Sequence, residues 1–351
     1  MTMDVFGARL GEPGMQRVMT LTEAFATSAV GAGALRIGLH YEAWLRNQQH
    51  AVLKLVEATT GVSSRQLRWE AAERAERERR APDRKTALTG APHVFWHGPD
   101  RVSGDRPVLV MVNGWTASGL MWPEQVVRAL EQHFDVIRID NRGAGYSRTA
   151  PAPFTVGDMA DDVTEVMDAI GASTATLLGL SMGGMIAQDV AMRHPTRVER
   201  LVLCGTRPPS PAGFLPSMSV MTSVMSSPRP GEAIHDYFAR LWGAVVAPGF
   251  AQQHPEVMSE IADAAVLRPT PHAGVMSQMR AISSWYGSAR LGRIAVPTTV
   301  IHGAADPLIP VGNGMRLAQL IPGAEYHEMP NVGHLVPYEA PDVVIEAALA
   351  R

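Results

Sequence analysis

The chain predicts an α/β fold, with a mostly parallel central sheet, helices on both faces and an inserted helical cap. Two observations carry this. From about Pro92 onward, short apolar runs alternate with segments of helical periodicity, as expected of parallel strands joined by helical crossovers. One interval, Gly205 to Ala295, breaks the alternation, holds no convincing strand and is too long for a loop. The expected organisation is a helical N-terminal extension over 1–85 and an α/β domain over 86–351, with the cap inserted at 206–295.

Bulk properties narrow the function classes. The chain has 351 residues, of which 46% are hydrophobic, enough for a sizeable core and too many for a disordered chain. Its net charge of −3 gives no sign of a nucleic-acid partner. The single cysteine, Cys204, excludes an intramolecular disulfide; lying in an apolar strand, it reads as a small buried hydrophobe. No uncharged apolar run is long enough to span a bilayer. The mildly apolar stretch Ala24–Leu39 follows Glu23, contains Arg36 and lacks the basic start of a secretory signal. A cytoplasmic protein without stable membrane insertion is the default expectation.

In the N-terminal extension, Tyr41, Trp44, Leu45, Gln48, Val52, Leu55 and Val56 recur at helical spacing and end near Gly61. Ser63 and Gln66 form a capping-box pattern for a second helix. Its pairs Glu70–Arg74, Glu73–Arg77 and Glu76–Arg80 run acid first at four-residue spacing, which suits a solvated helix that ends at Pro82. A brace on the main domain or a homodimer contact is favoured over a partner-binding arm or a membrane-surface foot. The mixed charges give no support to phosphate binding.

In the α/β part, strands are expected at His93–Trp96, Val108–Val112, Val136–Ile139, Ala175–Leu178, Leu201–Leu203, Thr298–Ile301 and Glu325–Glu328. Helices are expected at Leu120–His133, Thr155–Ile170, Met182–His194, Gly312–Ile321 and Asp342–Ala350. Cap helices are expected around Ile234–Trp242, Glu256–Ala265 and His272–Tyr286. The cap is rich in methionine (Met218, Met221, Met225, Met258, Met276, Met279), which suits either a pliable lid over an apolar group or ordinary helix packing.

The most informative stretch is Gly179-Leu180-Ser181-Met182-Gly183-Gly184, a Gly-x-Ser-x-Gly turn between a strand and a helix. So sharp a reversal holds the serine backbone in a strained conformation, and side chains two residues either side would collide with the turn. The strain lifts the Ser181 hydroxyl clear of the sheet. It also leaves the Met182 N–H at a helix start, where an oxyanion would form. Three further motifs stand at strand ends, where binding groups gather in such sheets. Asn113-Gly114-Trp115 can aim the Trp115 N–H at the same spot. His302-Gly303-Ala304-Ala305-Asp306-Pro307 puts Asp306 just beyond the sheet. Asn331-Val332-Gly333-His334 puts a histidine in a loop before the final helix.

With Asp140-Asn141-Arg142-Gly143-Ala144-Gly145-Tyr146-Ser147, these motifs make the chain from about Pro92 to its end resemble an α/β-hydrolase-fold serine hydrolase of the carboxylesterase and lipase type. The resemblance implies Ser181 as nucleophile, His334 as base, Asp306 as the acid, and the Trp115 and Met182 amides as the oxyanion hole. It implies an apolar small-molecule ester, lactone or thioester as substrate, hydrolysed through an acyl-enzyme. Asn113 departs from the His-Gly pair common in the family, where only backbone amides are needed. The extension over 1–85 is not part of the shared pattern. A serine at the elbow argues against epoxide hydrolase and haloalkane dehalogenase chemistry, which use a carboxylate there.

Other polar residues have quieter readings. Asp140 and His302 are read as ordering their loops, and His97, His133, His194 and His327 as surface or packing residues. No metal-ligand spacing is present, and Gly143-Ala144-Gly145 lacks the lysine and strand-to-helix context of a phosphate loop, so no metal or cofactor is expected. Alternatives to ester hydrolysis are carbon–carbon bond hydrolysis of a vinylogous diketone, acyl transfer to an alcohol or amine, and a catalytically dead fold used as a binding module.

Overall fold

The computed structural model describes residues 94–147 and 152–350. The two helices expected after Tyr41 and Ser63, and with them the extension over 1–85, lie outside the described residues. The chain runs β1 (Phe95–His97), β2 (Val108–Val112), α1 (Glu124–Glu131), β3 (Asp135–Asp140), α2 (Val156–Ile170), β4 (Ala175–Leu180), α3 (Met182–Arg193) and β5 (Val198–Cys204). The cap contributes α4 (Met218–Val224), α5 (Ile234–Gly243), α6 (Phe250–Gln253), α7 (Pro255–Leu267) and α8 (His272–Ser283). The chain closes with β6 (Thr298–Gly303), α9 (Gly312–Leu320), β7 (Glu325–Met329), α10 (Val336–Glu339) and α11 (Pro341–Leu349).

The seven strands form one sheet in the order β1-β3-β2-β4-β5-β6-β7. Only β1 pairs antiparallel, with β3; the other pairs are parallel, as the strand–helix alternation predicts. Strand geometry sends successive side chains to opposite faces, and β2 shows both faces buried. Val108, Val110 and Val112 pack with Val163 and Met167 of α2 and Ile186 of α3. Leu109 and Met111 face Val126 and Leu130 of α1 and Val344 of α11. Among the described residues no helix is long and apolar enough to cross a membrane.

Element boundaries follow local chemistry. Thr155 and Asp158 cap α2 reciprocally, each side chain bonded to the other's amide, and Gly171 ends it at φ 80°. The helix expected at Leu120–His133 is shorter than its periodicity suggests. Trp122, restricted by the following proline, is extended at φ −90°, ψ 138°, so Gly119–Met121 forms one tight turn and α1 begins at Glu124. The helix expected to reach Tyr286 ends at Ser283, and Trp285 turns inward to donate from Nε1 to Asp189 at 3.1 Å. The cap has a core of its own: Ile234 and Phe238 of α5 and Ile261 and Ala265 of α7 pack down onto Ala117, Met121 and Leu335.

The loop after β3 is held by a buried ion pair. Arg142 donates to both oxygens of Asp162 on α2, at 2.5 and 2.7 Å. Burial outweighs the guanidinium and lifts the Asp162 carboxyl to about 6, so the pair orients the loop more than it stabilises the fold. Removing one partner nevertheless strands the other charge. Asp162→Ala is expected to cost about 3–5 kcal/mol, read as a lower midpoint in urea denaturation. A midpoint unchanged from wild type would show that Arg142 is not dependent on this carboxylate.

Candidate active site

The carboxyl ends of β2, β4, β6 and β7 bring the sequence-predicted groups to one edge of the sheet. Ser181 joins β4 to α3 at φ 56°, ψ −118°, a strained combination for a residue with a side chain. The strain is over-determined. The Ser181 N–H donates to the Cys204 carbonyl at 2.9 Å, and the Thr206 hydroxyl donates to the Ser181 carbonyl at 2.7 Å. The flanking glycines are there for space; at Gly179 the collision is with the turn itself, as expected, and at Gly183 it is with the end of β2. A Cβ on Gly179 would lie 2.5 Å from the Gly183 carbonyl oxygen, and one on Gly183 only 1.8 Å from the Val112 carbonyl oxygen.

After β6, Asp306 accepts from the Leu308 and Ile309 amides through Oδ1, both at 2.8 Å. Its Oδ2 lies 2.8 Å from Nδ1 of His334, and both side chains are buried. Burial alone would push the Asp306 carboxyl up; the charge of His334 and hydrogen bonds from His302 and His334 outweigh it and hold the group below the usual carboxylate range. His302, fully buried, donates from Nε2 to the Ile309 carbonyl at 2.8 Å, so it orders the Asp306 loop as expected. Asp140 also has an ordering role, accepting from the Gly119 and Tyr146 amides and bonding His97 at 3.1 Å.

Ser181 and His334 line one cavity of about 640 Å³, together with Asn113, Gly114 and Trp115. Met182, fully buried, opens α3. Among the described residues no hydrogen bond occupies the Trp115 or Met182 amide. Five of the six cap methionines singled out in the sequence line the cavity; Met258 instead fills the cap core. Cys204 is buried and burial raises its thiol pKa, in keeping with an inert packing residue. No group of three or more metal-ligating side chains occurs among the described residues.

Several residues that shape the site carried no sequence signal. Gln278 of α8, fully buried, accepts from the Thr116 amide and donates to the Arg142 carbonyl, both at 2.8 Å. Thr270 donates to the Thr116 carbonyl at 2.7 Å, and the Trp115 indole donates to the Val275 carbonyl at 3.0 Å. The cap thus grips the turn after β2, where Thr116 sits at φ 65°.

A sequence model described as the alpha/beta hydrolase fold matches residues 107–341, two-thirds of the chain. The protein belongs to the α/β-hydrolase fold family. Over 250 residues it is 27% identical to 3-oxoadipate enol-lactonase 2 of Acinetobacter baylyi, covering 70% of this chain and 90% of that one. The crystal structure of an enol-lactonase from Burkholderia xenovorans superposes with a TM-score of 0.60 at 29% identity, covering 72% of this chain and 94% of the other. The esterase RhEst1 of a Rhodococcus species superposes equally well, also 0.60, at 25% identity and with 72% and 92% covered.

Proposed function

We propose that this hydrolase cleaves the carboxylic ester or lactone of a small to medium apolar substrate through Ser181, His334 and Asp306. One observation carries the reading. A strained serine at a strand-to-helix turn shares an apolar cavity with an imidazole whose Nδ1 is bonded to a buried carboxylate. The enol-lactonase and esterase names of the three relatives described above support this choice of substrate class, while other relatives carry the name putative carbamate hydrolase.

Serine is a weak nucleophile near neutral pH, so its proton must leave as it attacks. Nε2 of His334 takes that proton while Ser181 Oγ bonds to the carbonyl carbon. Asp306 holds the proton of His334 on Nδ1 and stabilises the imidazolium. The carbonyl oxygen becomes an oxyanion facing the Trp115 and Met182 amides, each such donor being worth about 2.7–4 kcal/mol. The carbon–oxygen bond to the leaving group breaks, His334 returns the proton to the departing alcohol, and Ser181 keeps the acyl group. Water then repeats the sequence, releasing the acid and restoring the serine.

The test offers purified full-length protein p-nitrophenyl esters of increasing chain length, γ- and δ-lactones, and a fluorophosphonate probe. Probe label with ester or lactone turnover is expected. Rapid label without turnover would overturn ester hydrolysis in favour of carbon–carbon cleavage or acyl transfer. Absence of both would leave a binding module.

A further inference from the structure

Glu339 has no part in the chemistry above, yet its carboxylate gathers three backbone amides around His334. Oε2 accepts from Gly333 N–H and from Ala247 N–H, both at 2.8 Å, and Oε1 accepts from Leu335 N–H at 3.0 Å. Gly333 and Leu335 are the neighbours of His334 on either side. Ala247 belongs to the cap, between α5 and α6. The one-turn helix α10 makes this possible, because it folds the Glu339 side chain back over its own start, where the amides have no helical partner. Glu339 N–H also donates to the Leu335 carbonyl at 3.0 Å, so backbone and side chain hold the same residue.

The cap contact is close. The His334 N–H donates to the Val245 carbonyl at 2.8 Å. A Cβ on Gly333 would lie 2.4 Å from the Ala247 nitrogen, so only glycine allows the two backbones to meet there. Burial pushes the Glu339 carboxyl above its ordinary range, opposed by the three amides and by the charge of His334.

We infer that Glu339 is a positioning residue: its carboxylate clamps the histidine loop and cap segment 245–247 into one unit and thereby fixes the His334 imidazole for proton transfer from Ser181. Asp306 orients the ring from its Nδ1 side; Glu339 fixes the backbone from which the ring hangs. The inference rests on His334 being the base proposed above.

A graded pair of variants tests it in the full chain. Glu339→Ala removes all three acceptors. Glu339→Gln keeps one oxygen, which satisfies most when placed at the Oε2 position, so Gly333 and Ala247 stay bonded and the amide group faces Leu335. With a p-nitrophenyl ester, kcat of E339A is expected to fall about 100-fold, the effect of a misplacement near 1 Å, with KM changed less than about twofold. E339Q should recover roughly tenfold of that loss. Hydrogen exchange supplies a readout that needs no turnover. Ala247, Gly333 and Leu335 should lose protection in E339A, and Leu335 alone in E339Q. Unchanged kcat in E339A, or equal losses in kcat for both variants with unaltered protection, would overturn the clamp. A wild type that neither turns over esters nor takes the probe would defeat the serine-hydrolase reading instead, while the exchange pattern would still decide whether the clamp exists.

Discussion

Replacing Ser181 by alanine is expected to lower kcat for a p-nitrophenyl ester by about 10⁶-fold, to the level left by the oxyanion amides and binding alone. KM should stay near wild type, because the hydroxyl is small beside the apolar cavity that holds the substrate. Fluorophosphonate labelling should vanish. The fold should not suffer, because the bonds that hold residue 181 run through its backbone, to Cys204 and from Thr206, and survive the change. A melting temperature matching wild type, beside the lost activity, separates a missing nucleophile from a broken fold. Retention of more than about one part in a hundred of kcat would remove Ser181 from the role, since a reacting group cannot be that dispensable.

The elbow was legible because its constraint is local. At Gly179 the turn itself leaves no room for a Cβ, whereas at Gly183 the space is taken by the end of β2, which a parallel sheet brings alongside. The strand ends bearing Asn113, Asp306 and His334 were legible for a related reason, since a parallel sheet fixes where loops emerge before any contact is known. The strand Val108–Val112 was read in full, but most of the others were read short at their ends. Arg200 and Glu199 of β5 and His302 of β6 interrupt the apolar pattern, yet the backbone ladder runs through them. Trp122-Pro123 shows the opposite error: apolar spacing continued across a proline that the backbone could not follow as helix.

What the sequence hid are contacts made at long range. Gln278 is a polar residue in a cap helix until α8 is laid on the turn after β2, and only then do Thr116 N–H and Arg142 C=O become its partners. Glu339 lies five residues beyond His334, and nothing in that interval announces a one-turn helix that bends its carboxylate back. The cap helix α4 was missed for want of length: seven residues with one buried side chain, Val224, give too little periodicity to register. Local sterics are written in the order of residues, whereas the partners of a buried polar group are set by tertiary packing.

Asp306→Asn carries the other large expectation, a fall in kcat of about 10⁴-fold with KM little changed. The direction follows from the hydrogen bonds at the two oxygens. Oδ1 receives two amides, from Leu308 and Ile309, so the asparagine must place its carbonyl oxygen there. Its NH₂ group then falls at the Oδ2 position, 2.8 Å from Nδ1 of His334. Facing a donor, Nδ1 must give up its hydrogen and the imidazole proton moves to Nε2. That nitrogen can no longer take the Ser181 proton, although every side chain stands where it stood. The same variant changes stability in acid. The Asp306 carboxyl is held below the usual range in the fold, so it contributes stability above its unfolded pKa of about 3.9. That contribution is lost as the pH falls through the lower folded value. Asp306→Asn removes the titration, so its urea midpoint should decline less steeply than that of wild type below about pH 4. Wild-type kcat in this variant would pass the acid's role to another carboxylate. Asp140 is poorly placed to accept it, because the imidazole it bonds is that of His97 rather than His334, and its oxygens also hold the amides of Gly119 and Tyr146.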